Sequence, residues 1–195
     1  MNLELYEKLM SEGCPGQQPS EWIMFLEICE TYLKKNKIKN PVVVELGVDK
    51  NMQKKFYKQL LGTEHIGIDS STRRSVPDIK GDTHDSETLK ALKEKLGGKL
   101  INILFIDAHH GYKSVKKDFE TYSPLCTDII VFHDIELGRN NNSEKSMVWK
   151  FWDELKERAF AELTGYERYV FLSISRRSFK RPNIGCMGIG MMIRK

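Results

Sequence analysis

Val42-Val43-Val44-Glu45-Leu46-Gly47 is an apolar run that closes on a carboxylate and a glycine, and four similar runs follow it. They are His65-Ile66-Gly67-Ile68-Asp69, Ile79-Lys80-Gly81-Asp82, the run from Leu100 to Asp107, and Asp128-Ile129-Ile130-Val131-Phe132-His133-Asp134. Apolar runs of about four to eight residues, separated by helical stretches, are the pattern of a parallel sheet buried on both faces. The expected class is therefore α/β, a doubly wound and mostly parallel sheet with helices on both faces. In such sheets ligands bind beyond the carboxyl ends of the strands. That rim carries Glu45, Gly47, Asp69, Asp82, Asp107, His133 and Asp134.

The rest of the chain fits around these runs. Residues 3–10 form a short helix broken by Gly13-Cys14-Pro15-Gly16, and Ser20 is the expected N-cap of a longer helix with Ile23, Leu26 and Leu33 on its apolar stripe. Asn40-Pro41 resets the chain. Helices are expected over about 52–61, closed by Gly62, then after a cap at Asp85 or Ser86 and ending at Gly97-Gly98. Two more carry Val115, Phe119 and Tyr122, and Val148, Trp152 and Leu155. Gly138-Arg139-Asn140-Asn141-Asn142-Ser143 reads as a mobile loop. Tyr169-Val170-Phe171-Leu172 and Ile189-Gly190-Met191-Met192-Ile193 lack room for a crossover helix between them, so they should pair antiparallel, which brings the sheet to seven strands. The expectation is one domain over 1–195, a helical prefix (1–40) on an α/β core (41–195).

Composition narrows the class. The 195 residues are 40% apolar and 30% charged, ordinary for a globular domain, and the net charge of +4 does not demand an anionic partner. The four cysteines form no Cys-x-x-Cys pair, so reduced thiols are expected rather than disulfides or a zinc site. No cationic stretch precedes an apolar one at the N-terminus, and no run approaches the ~20 residues of a membrane span. A cytoplasmic location without membrane contact is expected.

Alternating strands and helices closed by an antiparallel hairpin resemble the Rossmann-like fold of class I S-adenosylmethionine-dependent methyltransferases. The resemblance is nearest to the small bacterial and phage methyltransferases grouped with cephalosporin hydroxylase-like proteins. It spans residues 42 to about 152, through VVVELGV, HIGIDSS, IKGDTHDSETL, LFIDAHHGYKSVKKDFETYSPL, VFHDI and VWKFW. Residues 105–125 are the most specific part, because that group carries a similar Phe-Ile-Asp-x-x-His-x-Tyr before an amphipathic helix and Ser-Pro-Leu. One position departs from the group. A second glycine is usual in the turn after the first strand, and here Asn51 stands in its place. Asparagine tolerates a left-handed backbone, but it adds a side chain where the cofactor's amino-acid moiety would approach.

Each rim residue then has a chemical expectation. Gly47 lets the main chain approach a ligand closely, and Glu45 can accept from an ammonium group; the resemblance implies that this loop, with Asn51, holds the methionine part of the cofactor. Asp69 stands at the roughly 20-residue spacing at which Rossmann-like folds place an acid on ribose hydroxyls. That position suits NAD equally, but Gly-x-Gly-x-x-Gly is absent, which favours a cofactor without phosphate. By resemblance Asp82 reads the adenine amino group. Asp107 and Asp134 end adjacent strands about 4.8 Å apart, so both carboxylates, with His133, are candidate ligands of Mg²⁺ or Mn²⁺. Asp107 is also expected beside the cofactor. His109-His110 supplies the candidate base, and the resemblance favours His110. Tyr112, Trp149 and Trp152 are candidates for a substrate wall.

The expected activity is methyl transfer from S-adenosylmethionine to a hydroxyl of a small metabolite, such as a sugar or natural-product unit. A homodimer would complete a pocket that this short chain caps sparsely. The rival expectation is a non-catalytic binding module on the same scaffold, for which Asn51 speaks. A nucleic-acid methyltransferase is disfavoured, since no Asn/Asp-Pro-Pro-Tyr/Phe motif follows the fourth strand, although the basic stretch Arg176-Arg177-Ser178-Phe179-Lys180-Arg181 offers cations beside an aromatic.

Overall fold

In the computed structural model, residues 1–139, 146–161, 165–175 and 187–195 are described. The chain runs α1 (Leu3–Glu12), α2 (Pro19–Lys35), β1 (Val42–Leu46), α3 (Gln53–Leu60), β2 (Glu64–Asp69) and β3 (Ile79–Lys80). It continues through α4 (Ser86–Leu96), β4 (Ile101–Ile106), α5 (Tyr112–Tyr122), β5 (Cys126–His133), α6 (Val148–Phe160), β6 (Tyr169–Ile174) and β7 (Ile189–Arg194). The seven strands form one sheet in the order β3-β2-β1-β4-β5-β7-β6. Strands β1 to β5 pair in parallel, and β7 pairs antiparallel with both β5 and β6. The expected hairpin is thus present, with β7 inserted between β5 and β6.

Strand alternation divides the core. Val42, Val44 and Leu46 of β1 face the layer containing Leu92, Phe119 and Trp152 from α4, α5 and α6. Val43 faces the opposite layer with Trp22, Phe25 and Phe56, where α1, α2 and α3 pack. The helical prefix therefore covers one side of the sheet. Trp22 stacks on Phe25 at 5.1 Å and meets Phe56, Tyr57 and Phe105 edge-on, so the prefix is anchored by aromatic contacts as well as by buried area.

Several expectations are corrected. Ser20 does not cap α2; the helix begins at Pro19, because proline has a preset φ and no N–H to satisfy at the first helical position. Asp85 is the N-cap of α4 but makes no side-chain cap bond. Gly97, at φ 57°, ends α4 in the left-handed conformation as expected. Arg139 is held by Asp153 at 2.7 Å, while the rest of the expected mobile loop, 140–143, lies outside the described residues. The basic stretch 176–181 and Cys186 lie outside them too, and Cys14, Cys29 and Cys126 are free thiols. Among the described residues, no helix is long and apolar enough to cross a membrane.

Candidate functional site

The strand order reverses between β1 and β4, and a cleft of about 790 Å³ opens there beyond their carboxyl ends. Its floor is the turn at Gly47. This residue has φ 81°, and a Cβ on it would stand 2.3 Å from the Asp107 carbonyl oxygen. Glycine is therefore required for the loops after β1 and β4 to touch, a constraint that precedes any ligand.

At one end of the cleft Asp69 Oδ2 accepts from the N–H groups of Val48 and Asp49, at 3.0 and 3.2 Å, and Oδ1 accepts from Ser71 N–H. One carboxylate thus ties the loop after β1 to the loop after β2. Asp82 is exposed into the same end, with Oδ1 accepting from His84 N–H at 2.8 Å.

Acids and imidazoles crowd the other end. His110 Nδ1 lies 2.7 Å from Asp134 Oδ2, and its Nε2 lies 3.6 Å from Asp107 Oδ1. His133 Nδ1 stands between the two carboxylates, 3.1 Å from Asp107 Oδ1 and 3.3 Å from Asp134 Oδ1. Gln17, from the loop between α1 and α2, donates to Asp107 Oδ2 at 3.0 Å. The hydrogen bond to Asp134 raises the His110 pKa against the opposing effect of burial. For His133, burial disfavours the charge, yet Asp107 and Asp134 outweigh it and lift the pKa to about 9. The two imidazoles thus pack directly against the two carboxylates. Asp134 holds this position at φ 62°, a strained backbone of the kind that gathers at functional sites. Asp107, His110 and Asp134 can each offer one ligand atom to a common ion, with these atoms within 4.8 Å of one another.

No protein-family profile matches the chain. The uncharacterized protein y4gI of Sinorhizobium fredii is 33% identical over 57 residues, 28% of this chain and 6% of that protein. The chain thus spans only a small part of the curated relative it matches. Among solved structures, the O-methyltransferase from Bacillus cereus in complex with SAH (S-adenosylhomocysteine) superposes with a TM-score of 0.62. The match covers 98% of this chain and 89% of that one at 13% identity. MycE methyltransferase from the mycinamycin biosynthetic pathway, crystallised with Mg and SAH, gives 0.59 at 12% identity, over 85% of this chain and 48% of its own. This chain has the class I methyltransferase fold.

Within the methyltransferase fold, the residues expected at the rim divide in two. Gly47, Asp69, Asp82, Asp107, His109, His110, His133 and Asp134 all line the cleft. Glu45 does not. It is the penultimate residue of β1, so alternation turns its side chain under α2 and α3, where it is fully buried with Oε2 2.8 Å from His65 Nε2. Burial raises its pKa, against the opposing pull of His65. Asn51 takes the left-handed backbone expected of it, at φ 55°, but its side chain reaches toward the Val76 carbonyl at 3.4 Å and does not line the cleft. His133 is not part of the three-residue ion cluster, where His110 stands instead, and its Nδ1 lies against both carboxylates. Nor do the aromatics of this methyltransferase-like chain wall the cleft. Tyr112 bonds Glu154, Arg139 lies over Trp149, and Trp152 is core. Gln17 and His65 were not singled out from sequence. Gln17 sits in an irregular loop that carries no signal, whereas His65 of β2 shares a face of the sheet with Glu45 of β1 and was recoverable by alternation.

Proposed function

We propose that this protein transfers the methyl group of S-adenosylmethionine to a hydroxyl of a small acceptor, assisted by Mg²⁺ or Mn²⁺. The observation that carries this reading is the pairing, in one cleft, of Asp69 and Asp82 at one end with the Asp107–His110–Asp134 cluster at the other. When bound, the cofactor supplies an electrophilic methyl on a sulfonium, and the cation lowers the pKa of a hydroxyl that it touches. The donor set fits a cation that accepts both oxygen and imidazole ligands, which favours Mn²⁺ over Ca²⁺.

The chain's own groups do the rest. Asp69 and Asp82 bind the nucleoside, the first through ribose hydroxyls and the second through the adenine amino group. Asp134 fixes the His110 ring through Nδ1, leaving Nε2 as the atom that receives the acceptor proton or binds the ion. His109 has its Nδ1 occupied by the Gly111 N–H at 3.2 Å, which leaves His110 as the assigned base. Gln17 and His133 hold Asp107 in place from either side. Most of the rate enhancement comes from aligning the acceptor oxygen with the methyl group.

Calorimetric titration with S-adenosylmethionine and SAH, with and without Mn²⁺, tests the reading. Micromolar binding followed by methyl transfer to a panel of hydroxylated metabolites supports it. No heat with either compound under any condition sinks it, and binding without transfer to any acceptor favours a binding module. Asn51 no longer speaks for that module, since its side chain is turned away from the cleft.

A further inference from the structure

Beneath the Asp82 end of the cleft lies a polar network that the proposed chemistry leaves unused. Val115, Asp118, Phe119 and Tyr122 form the buried stripe of α5, and an acid in such a stripe is out of place. Asp118 is fully buried. His84 Nε2 lies 3.3 Å from its Oδ1 and 3.3 Å from the Ser114 carbonyl oxygen of the same helix. One turn further on, the buried Tyr122 hydroxyl donates to the Thr83 carbonyl at 2.8 Å. Tyr122 therefore ties Thr83 by a hydrogen bond, and Asp118, four residues earlier, faces the next loop residue, His84, as a charge partner.

The loop is clamped from its other side as well. Gly81 N–H donates to the Asp69 carbonyl at 3.0 Å, and a Cβ on Gly81 would stand 2.2 Å from Thr88 Oγ1 of α4. Between these clamps Asp82 is exposed, its carboxylate turned by the His84 N–H bond. A hydrophobic side chain at 118 would serve packing better than a buried carboxylate, whose desolvation is costly. Burial pushes the Asp118 pKa up, although Thr83 and His84 oppose the shift.

We infer that Asp118 and Tyr122 are positioning residues that fix the 81–85 loop so that Asp82 can discriminate the base of a nucleoside ligand. The inference rests on the reading of the cleft as a nucleoside-cofactor site. Helix α5 then sets both ends of the cleft, because the 107–111 turn that carries His110 leads directly into it.

The test compares SAH with S-inosylhomocysteine, whose base carries a carbonyl in place of the adenine amino group, by calorimetry on the full chain. Tyr122→Phe deletes one buried hydrogen bond and should weaken SAH by about three- to tenfold. It should lower the preference for SAH over the inosine compound by a similar factor and leave Mn²⁺ affinity unchanged. Asp118→Ala should do the same, while Asp118→Asn, whose amide oxygen still faces His84, should restore the preference. Unchanged affinity and preference in Tyr122→Phe would overturn the inference. So would a parallel loss of SAH and Mn²⁺ affinity with a lowered melting point, which marks a merely structural role. Wild-type protein that binds neither nucleoside ligand overturns the proposed function itself, and this inference with it.

Discussion

At Gly47 and Asp134 the chain holds a left-handed backbone for different reasons, and substitutions separate them. A Cβ on Gly47 would meet the Asp107 carbonyl oxygen, which belongs to backbone and cannot swing aside. Gly47→Ala should destabilise the fold by about 1–3 kcal/mol, read as a lowered urea midpoint at unchanged slope, and should weaken SAH binding as the two loops part. Asp134, at φ 62°, occupies a conformation that asparagine also tolerates. Asp134→Asn should therefore keep the fold while abolishing Mn²⁺ binding, and SAH affinity should stay within a few-fold because Asp69 and Asp82 lie at the other end of the cleft. Retained Mn²⁺ affinity in that variant would remove the ion from Asp134. Asn51 gives the control. With its side chain directed at Val76, Asn51→Gly should change SAH affinity by no more than a few-fold, and a large gain would show that the side chain obstructs the cofactor. Sequence identified Gly47 and Asn51 as residues with special backbone conformations. What it could not supply was the neighbour across the turn, since the contact between Gly47 and Asp107 joins the loops that follow two different strands.

The elements themselves were legible wherever a run of one period was long enough. All seven strands and the helices after β1, β3, β4 and β5 follow from alternation between apolar runs and amphipathic stretches. Boundaries were less legible, as at α2, where Pro19 rather than Ser20 decides the start. Ties between elements were the least legible, and Asp78 shows why. Lying between β2 and β3, it binds Lys54 of α3 at 2.7 Å and accepts from Gly67 N–H of β2 at 3.0 Å. Three separate segments meet at one carboxylate, and no local pattern marks it. Burial works against its charge, yet Lys54 and the Gly67 N–H prevail and hold the carboxyl below its usual range. A pKa lowered by folding contributes stability that is present above the unfolded value, near 3.8, and is lost as pH falls through the folded value. Wild type should thus be more stable than Asp78→Asn at pH 6, with the gap closing as pH falls below about 4. A gap independent of pH, measured by urea melts from pH 6 to 2.5, would assign the effect to packing alone.

At the scale of the whole molecule, the sheet order explains why the site could be located before its partners could be named. Reversal between β1 and β4 opens the cleft, and the acids that follow the ends of β4 and β5, with the one that ends β2, necessarily converge on it. Glu45 falls out of that set because it precedes the end of its strand by one residue, and a period of two then sends it to the prefix side. The geometry also separates two binding regions on one cleft, which predicts separable stabilisation. A ligand that binds only the folded state, present at 100 times its Kd, adds about 2.7 kcal/mol. For a chain of this size that is a rise of roughly 5–10 °C in melting temperature. SAH and Mn²⁺ should each give such a rise at matched saturation, and together they should give nearly the sum, since contacts that share no partner are close to additive. Asp134→Asn should erase the Mn²⁺ increment alone. Asp69→Asn keeps an oxygen for the Val48 and Asp49 N–H groups but loses the charge, so it should shrink the SAH increment and spare that of Mn²⁺. Loss of both increments in either variant would mean that the two ends of the cleft are one site, held together by the Gly47–Asp107 contact rather than merely joined at it.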